Sequence, residues 1–154
     1  MRFTGSVEWL ATVHEIAPLV EWITAIPFEE WPQQTRLEDG AIRPAMVQDQ
    51  SWHGFGEMAA PYLIHTLGQP LHAILTVVMP GHSIPPHIDE QGPSWLCRVH
   101  IPLTTNDESQ FIVGGEHHHM EVGNAYIVNT EVMHSVENNG GTPRIHLMFD
   151  VVSP

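Results

Sequence analysis

His87 and Asp89 are two metal-capable side chains set two residues apart in a run that reads as extended. On a strand, residues i and i+2 face the same side, so the imidazole and the carboxylate would project toward one point, with Ile88 turned away. An imidazole and a carboxylate converging in this way make two thirds of a facial metal triad, which leaves one face of a bound ion open for chemistry. The residues that could complete the set lie in the last third of the chain: His117, His118, His119, His134 and His146. His134 stands out because it opens a short strand-like run, Ser135–Asn138, and follows another, Ala125–Val128.

The elements that must position these residues are strands. From Leu71 onward the sequence breaks into short β-type runs: 73–79, 96–103, 110–113, 117–122, 125–128, 135–138 and 144–152. They are separated by Pro80-Gly81, Gly114-Gly115, Gly123-Asn124 and Gly140-Gly141. Gly114-Gly115 fits a tight hairpin turn. Many short strands at this spacing predict a sandwich or small barrel. Before them, Thr12 and Glu15 fit a capping box, and helical spacing predicts a helix over 13–25. A second short helix is expected over 61–67, stopped by Gly68 in a left-handed cap. Residues 33–57, with Arg36, Asp39-Gly40 and Ser51-Trp52-His53-Gly54, read as loops around short strands. The expected organisation is a single domain over 1–154, with a helical flank and loops in 1–70 and a β-barrel core in 71–152.

Composition narrows the partners. Lys+Arg number 5 against 18 Asp+Glu, a formal charge of −13. Such a surface repels phosphate backbones and gives no basic footprint for anionic lipid, so neither nucleic acid nor membrane is an expected partner. The single Cys97 allows no intrachain disulfide. With no signal-peptide pattern and no apolar run of spanning length, a soluble cytoplasmic protein is expected. All five basic residues are Arg, and two of them, Arg98 and Arg144, fall inside β-type runs. An Arg on a half-buried strand needs an anionic partner, which an internal carboxylate or a bound acid could supply.

The spacing resembles two cupin motifs. Gly81, five residues and His87-x-Asp89 follow the first, with Asp for the second His. Gly123, five residues, Asn129-x-Glu131, two residues, His134, three residues and Asn138 follow the second in part, with Asn129 and Glu131 where Pro and Gly are expected. Over roughly residues 71–152 the chain resembles the aspartyl/asparaginyl β-hydroxylase group of Fe(II)- and 2-oxoglutarate-dependent oxygenases. That resemblance implies a mainly β, double-stranded β-helix fold (a cupin or jelly-roll barrel) with one or two N-terminal helices. His87, Asp89 and His134 match the iron ligands. Arg144, ten residues beyond His134, matches the Arg that binds the far carboxylate of 2-oxoglutarate. Arg98 and His100 match a second basic pair near that cosubstrate, and Thr76 stands at a hydroxyl position. The reaction so implied is dioxygenase hydroxylation of a small molecule or of an amino-acid or peptidyl side chain, with 2-oxoglutarate decarboxylated to succinate.

From the residues alone, two alternatives stay open: a metal-dependent cupin enzyme that does not use 2-oxoglutarate, and a non-enzymatic cupin-like binding module. His117-His118-His119 reads as a solvated hairpin. His53, His82 and His146 read as ordinary polar or core histidines, and Trp52, Trp95, Phe111 and Tyr126 as core or pocket wall.

Overall fold

The computed structural model describes residues 2–32 and 45–154. The expected turn at Asp39-Gly40, Arg36 and Arg43 lie outside them. Among the described residues there are ten strands: β1 Val7–Thr12, β2 Ala45–Val47, β3 Gln69–Val78, β4 Ser83–His87, β5 Trp95–Thr104, β6 Ser109–Val113, β7 Glu116–His118, β8 Asn124–Val128, β9 His134–Asn138 and β10 Arg144–Val152. They form a six-stranded sheet, β1-β8-β5-β10-β3-β2, and a four-stranded sheet, β4-β9-β6-β7. Every pairing is antiparallel. From β3 to β10 the chain passes between the two sheets and closes them into a double-stranded β-helix.

Alternation along the strands explains why the barrel can carry polar residues inside. On β10, Ile145, Leu147, Phe149 and Val151 point to one face and Arg144, His146, Met148 and Asp150 to the other. The odd-numbered set joins Val99, Ile101, Leu103, Leu75 and Val77 in the main apolar core. Helix α1 (Ala17–Thr24) and helix α2 (Phe55–Ala59) cover that face with Leu19, Ile23, Phe55 and Ala59. The other face lines the barrel, where a smaller cluster of Val78, Phe111, Val113, Met120, Val128 and Val136 closes the interior. A one-residue slip of β10 would take Leu147 and Phe149 out of the main apolar core and turn them into the polar barrel interior. It would also turn Arg144 and Asp150 into the apolar core. The register is therefore strongly specified.

Several elements differ from the sequence reading. Residues 7–12, in a lead-in that the sequence specifies poorly, form the edge strand β1 against β8. β2, a short strand within the stretch expected as loops around short strands, joins the same sheet from the N-terminal half. The first helix starts at Ala17, not Val13, because Thr12 is held in β1 opposite Asn124 and Glu15 has a positive φ of 56°. Its N-cap, Ile16, makes no side-chain cap. Pro18 sits in its first turn, where a missing N–H costs nothing. The second helix occupies 55–59, continued by a 3-10 turn over 60–62, rather than 61–67.

Gly68 is not a left-handed cap. A Cβ there would lie 2.6 Å from the Val152 carbonyl oxygen, so the residue is small because strands pass close by. Gly114 and Gly115 do take positive φ, 58° and 82°, in the two-residue turn between β6 and β7. This is the primed turn that matches strand twist.

Candidate metal centre

The pairing of β4 with β9 places His87 directly opposite His134. Their rings approach to 4.2 Å between centroids. Asp89 follows just after β4, where its backbone N–H donates to the Thr130 carbonyl at 3.0 Å. Its carboxylate then reaches both rings, with Oδ1 3.7 Å from His87 Nε2 and Oδ2 3.3 Å from His134 Nε2. One ligand atom from each of the three residues lies within 4.8 Å of the other two. Among the described residues this is the one such group of His, Cys, Asp or Glu.

Backbone contacts set the tautomers. His87 Nδ1 is 2.8 Å from the Pro85 carbonyl oxygen, and His134 Nδ1 is 2.8 Å from that of Val132. A carbonyl only accepts, so each Nδ1 carries the proton and donates it. In the neutral rings, Nε2 is then a bare lone pair turned toward Asp89. Two lone pairs and a carboxylate facing one another repel unless a proton or a cation joins them. When a second proton makes His134 cationic, its Nε2–H donates to Asp89 and holds that carboxyl below the usual carboxylate range; partial burial opposes this and Arg98 adds to it. His134 is buried, while His87 and Asp89 are about a third or more exposed, so the cluster opens on the His87 side.

Arg98, expected beside a cosubstrate, has its guanidinium engaged by protein. Nε and Nη2 donate to the two oxygens of Asp150, each at 2.9 Å, and Nη1 donates to Asp89 Oδ2 at 3.3 Å. Burial works against this charge, and the Asp150 and Asp89 carboxylates together more than offset it. Asp150 also accepts from Trp95 Nε1 at 3.0 Å. His100, the other half of the expected basic pair, sits in the barrel interior with its Nδ1 3.1 Å from His146 Nδ1.

Arg144 occupies the opposite end of the barrel, where β10 begins, and is 3% exposed. Among the described residues no carboxylate lies within ion-pair distance of it, and its Nη2 has no hydrogen-bond partner. Burial pushes this guanidinium down to about 9. Four further buried side-chain atoms lack hydrogen-bond partners among the described residues: Thr76 Oγ1, opposite His146 on β3, Ser109 Oγ on β6, His118 Nε2 on β7 and, away from the barrel interior, Trp31 Nε1. Ser109, His118, Arg144 and His146 line one small cleft with Phe111. The Phe111 ring contacts both ends of the interior: the Arg144 guanidinium lies 5.6 Å above it and His134 stacks at 6.2 Å.

Sequence reasoning missed three of these residues. Asp150 falls on the same alternating face as Arg144, which was the available signal. Ser109 carries no motif. Of the three adjacent histidines, expected in a solvated hairpin, His118 reaches the Arg144 cleft, and β7 ends at His118 rather than running to Val122.

Residues 46–154 match the family described as Aspartyl/Asparaginyl beta-hydroxylase. No curated protein matches the chain in sequence. Solved structures similar in fold include AviO1 from Streptomyces viridochromogenes Tue57, at 12% identity over 97% of this chain and 90% of that one, with a TM-score of 0.69. Viral collagen prolyl hydroxylase vCPH from Paramecium Bursaria Chlorella virus-1, solved as a 2OG complex, matches at 9% identity over 97% of each chain, with a TM-score of 0.65. An oxidoreductase of the 2OG-Fe(II) oxygenase family from Burkholderia pseudomallei matches at 15% identity over 96% of this chain and 84% of that one, with a TM-score of 0.64. At these identities the likeness is one of fold.

Proposed function

The chain belongs to the aspartyl/asparaginyl β-hydroxylase family, and on that premise we propose that it acts, as one domain over 1–154, as an Fe(II)- and 2-oxoglutarate-dependent dioxygenase. Its substrate class is a small molecule or an amino-acid or peptidyl side chain. The observation that carries this reading is the pairing of two features within one barrel. A His-Asp-His cluster opens at one end, and a buried guanidinium without a carboxylate partner among the described residues waits at the other.

His87, Asp89 and His134 fit a divalent ion: two imidazole lone pairs and one carboxylate oxygen converge, with Nδ1 of each ring anchored on backbone. Thr76, Ser109 and Arg144 fit a carboxylate, because each has an unpartnered buried polar atom. Guanidinium binds carboxylate bidentately and keeps its charge at neutral pH, so the cost of burying Arg144 is offset when an acid arrives. When bound, iron with 2-oxoglutarate supplies an oxidant that hydroxylates a C–H bond. Arg98 restrains Asp89, and Phe111 keeps water from the passage between the two ends. Substrate approaches from the exposed His87 side.

Anaerobic addition of Fe(II) and 2-oxoglutarate tests the proposal. A weak visible charge-transfer band is expected in the wild type and is lost in Arg144→Ala. A well-folded wild type that shows no band sinks it.

A further inference from the structure

Arg98 touches a member of the metal cluster, and a cation placed there weakens the hold on another cation. At 3.3 Å from Asp89 Oδ2, a free guanidinium would compete with a metal for the carboxylate. Guanidinium prefers to grip both oxygens of a carboxylate in a fork. Here the fork is already taken: Nε and Nη2 are bound to the two oxygens of Asp150, so only Nη1 is left for Asp89. Opposed register on β5 and β10 sets Arg98 across from Asp150. Trp95 Nε1, itself buried, donates to Asp150 Oδ1 and fixes the carboxylate's orientation. The pair is largely removed from solvent, with side-chain exposures of 15% and 25%, so the charges act on each other with little screening.

We propose that Asp150 is a positioning residue for the metal centre: by holding Arg98 in a bidentate pair it limits that guanidinium to a single contact with Asp89 and so preserves the cluster's affinity for a divalent ion. This inference rests on the reading of His87, Asp89 and His134 as a metal site. Asp150 touches none of the three and acts through Arg98 alone. Without it, Arg98 is free to turn both its donors onto Asp89.

The test is calorimetric titration of metal-free protein with Co(II), with no cosubstrate present. Wild type, Asp150→Asn, Asp150→Glu and the double variant Arg98→Gln/Asp150→Asn are compared, each first checked for folding by circular dichroism. Asp150→Asn is expected to weaken Co(II) binding about tenfold or more, the range seen when a partner of a metal ligand is lost. Asp150→Glu, which keeps an anion for the guanidinium, recovers most of that loss. The double variant returns to within about threefold of wild type, because the competing cation has gone; a merely structural role for Asp150 would not produce that recovery. Should Asp150→Asn not fold, Asp150→Ser carries the same expectation.

Co(II) affinity unchanged in the neutral Asp150 variants, or a double variant as weak as the single, overturns the inference while leaving the metal site standing. A folded wild type that takes up no Co(II) overturns the metal reading and this inference with it.

Discussion

His100 Nδ1 lies 3.1 Å from His146 Nδ1 in the barrel interior, and both residues are buried. One ring must donate and the other accept, so the two neutral imidazoles carry different tautomers. Burial pushes both well below the ordinary histidine range, and the nearby Arg144 charge adds to it. The sign of the pH effect follows. Below about pH 6.5 the unfolded chain binds protons at these two positions and the folded chain does not. Stability therefore falls as pH drops below that value, by up to about 1.4 kcal/mol per pH unit for each ring. Urea midpoints measured from pH 7 to pH 5 should show this slope, and His146→Gln should roughly halve it. A flat profile over that window would show that the pair is not held neutral.

Arg144 presents a conflict between stability and binding. A buried cation without a carboxylate partner destabilises the ligand-free protein. Arg144→Met is expected to leave the Tm of that form unchanged or a few degrees higher. The same variant should weaken 2-oxoglutarate binding by about a hundredfold, the scale of losing a buried charge-assisted contact. Differential scanning calorimetry with and without 2-oxoglutarate and metal checks both halves. A Tm that collapses in the ligand-free variant would show that Arg144 serves the fold instead.

Asn138, at the end of β9, ties that strand to the end of β3 and to the turn before β10, and is fully buried. Its Nδ2 donates to the carbonyls of Val78 and Thr142, at 2.8 and 2.9 Å, and its Oδ1 accepts from Asn106 Nδ2 and Gly140 N, at 3.0 and 3.1 Å. All of its hydrogen-bonding capacity on the donor side is used. Asn138→Ala strands several of these partners and should cost about 3 kcal/mol. In a chain of this length that lowers Tm by roughly 6–12 °C. A drop of less than about 3 °C would mean that water replaces the amide.

Cys97 is 3% exposed, and burial pushes its thiol up to about 11, with the Asp150 carboxylate adding to the shift. The thiolate is the reactive form. The folded protein should therefore resist a thiol reagent at pH 7.5 for hours and react within minutes in denaturing urea. Fast labelling of the folded form would show that the β5 core opens locally.

Much of the barrel was legible because period-two alternation is a local property. The run over 144–152 reads with the limits of β10, and Gly114-Gly115 reads as the turn that joins β6 to β7. β1 was not legible. Its sequence, VEWLAT, leaves Trp9 exposed at 56% and shows no clean apolar face, since it is an edge strand whose place depends on β8. The helix starts were misjudged because Thr12 and Glu15 imitate a cap while β1 claims the first of them. The Arg98–Asp150 pair could not be seen in a linear reading at all.

No helix among the described residues is long and apolar enough to cross a membrane. The acidic balance and the absence of lysine follow from composition alone.

By itself the sequence determined which ligand types the chain owns and which of them share a strand face, because side-chain direction on a strand follows from spacing. Tertiary structure alone decided which faces meet. The β4–β9 register sets His87 against His134, and the β5–β10 register gives Arg98 a carboxylate, while Arg144 meets none among the described residues. Two arginines of the same type, each in a strand, thereby acquire different electrostatic fates, since a charge's partner is chosen by neighbours in space.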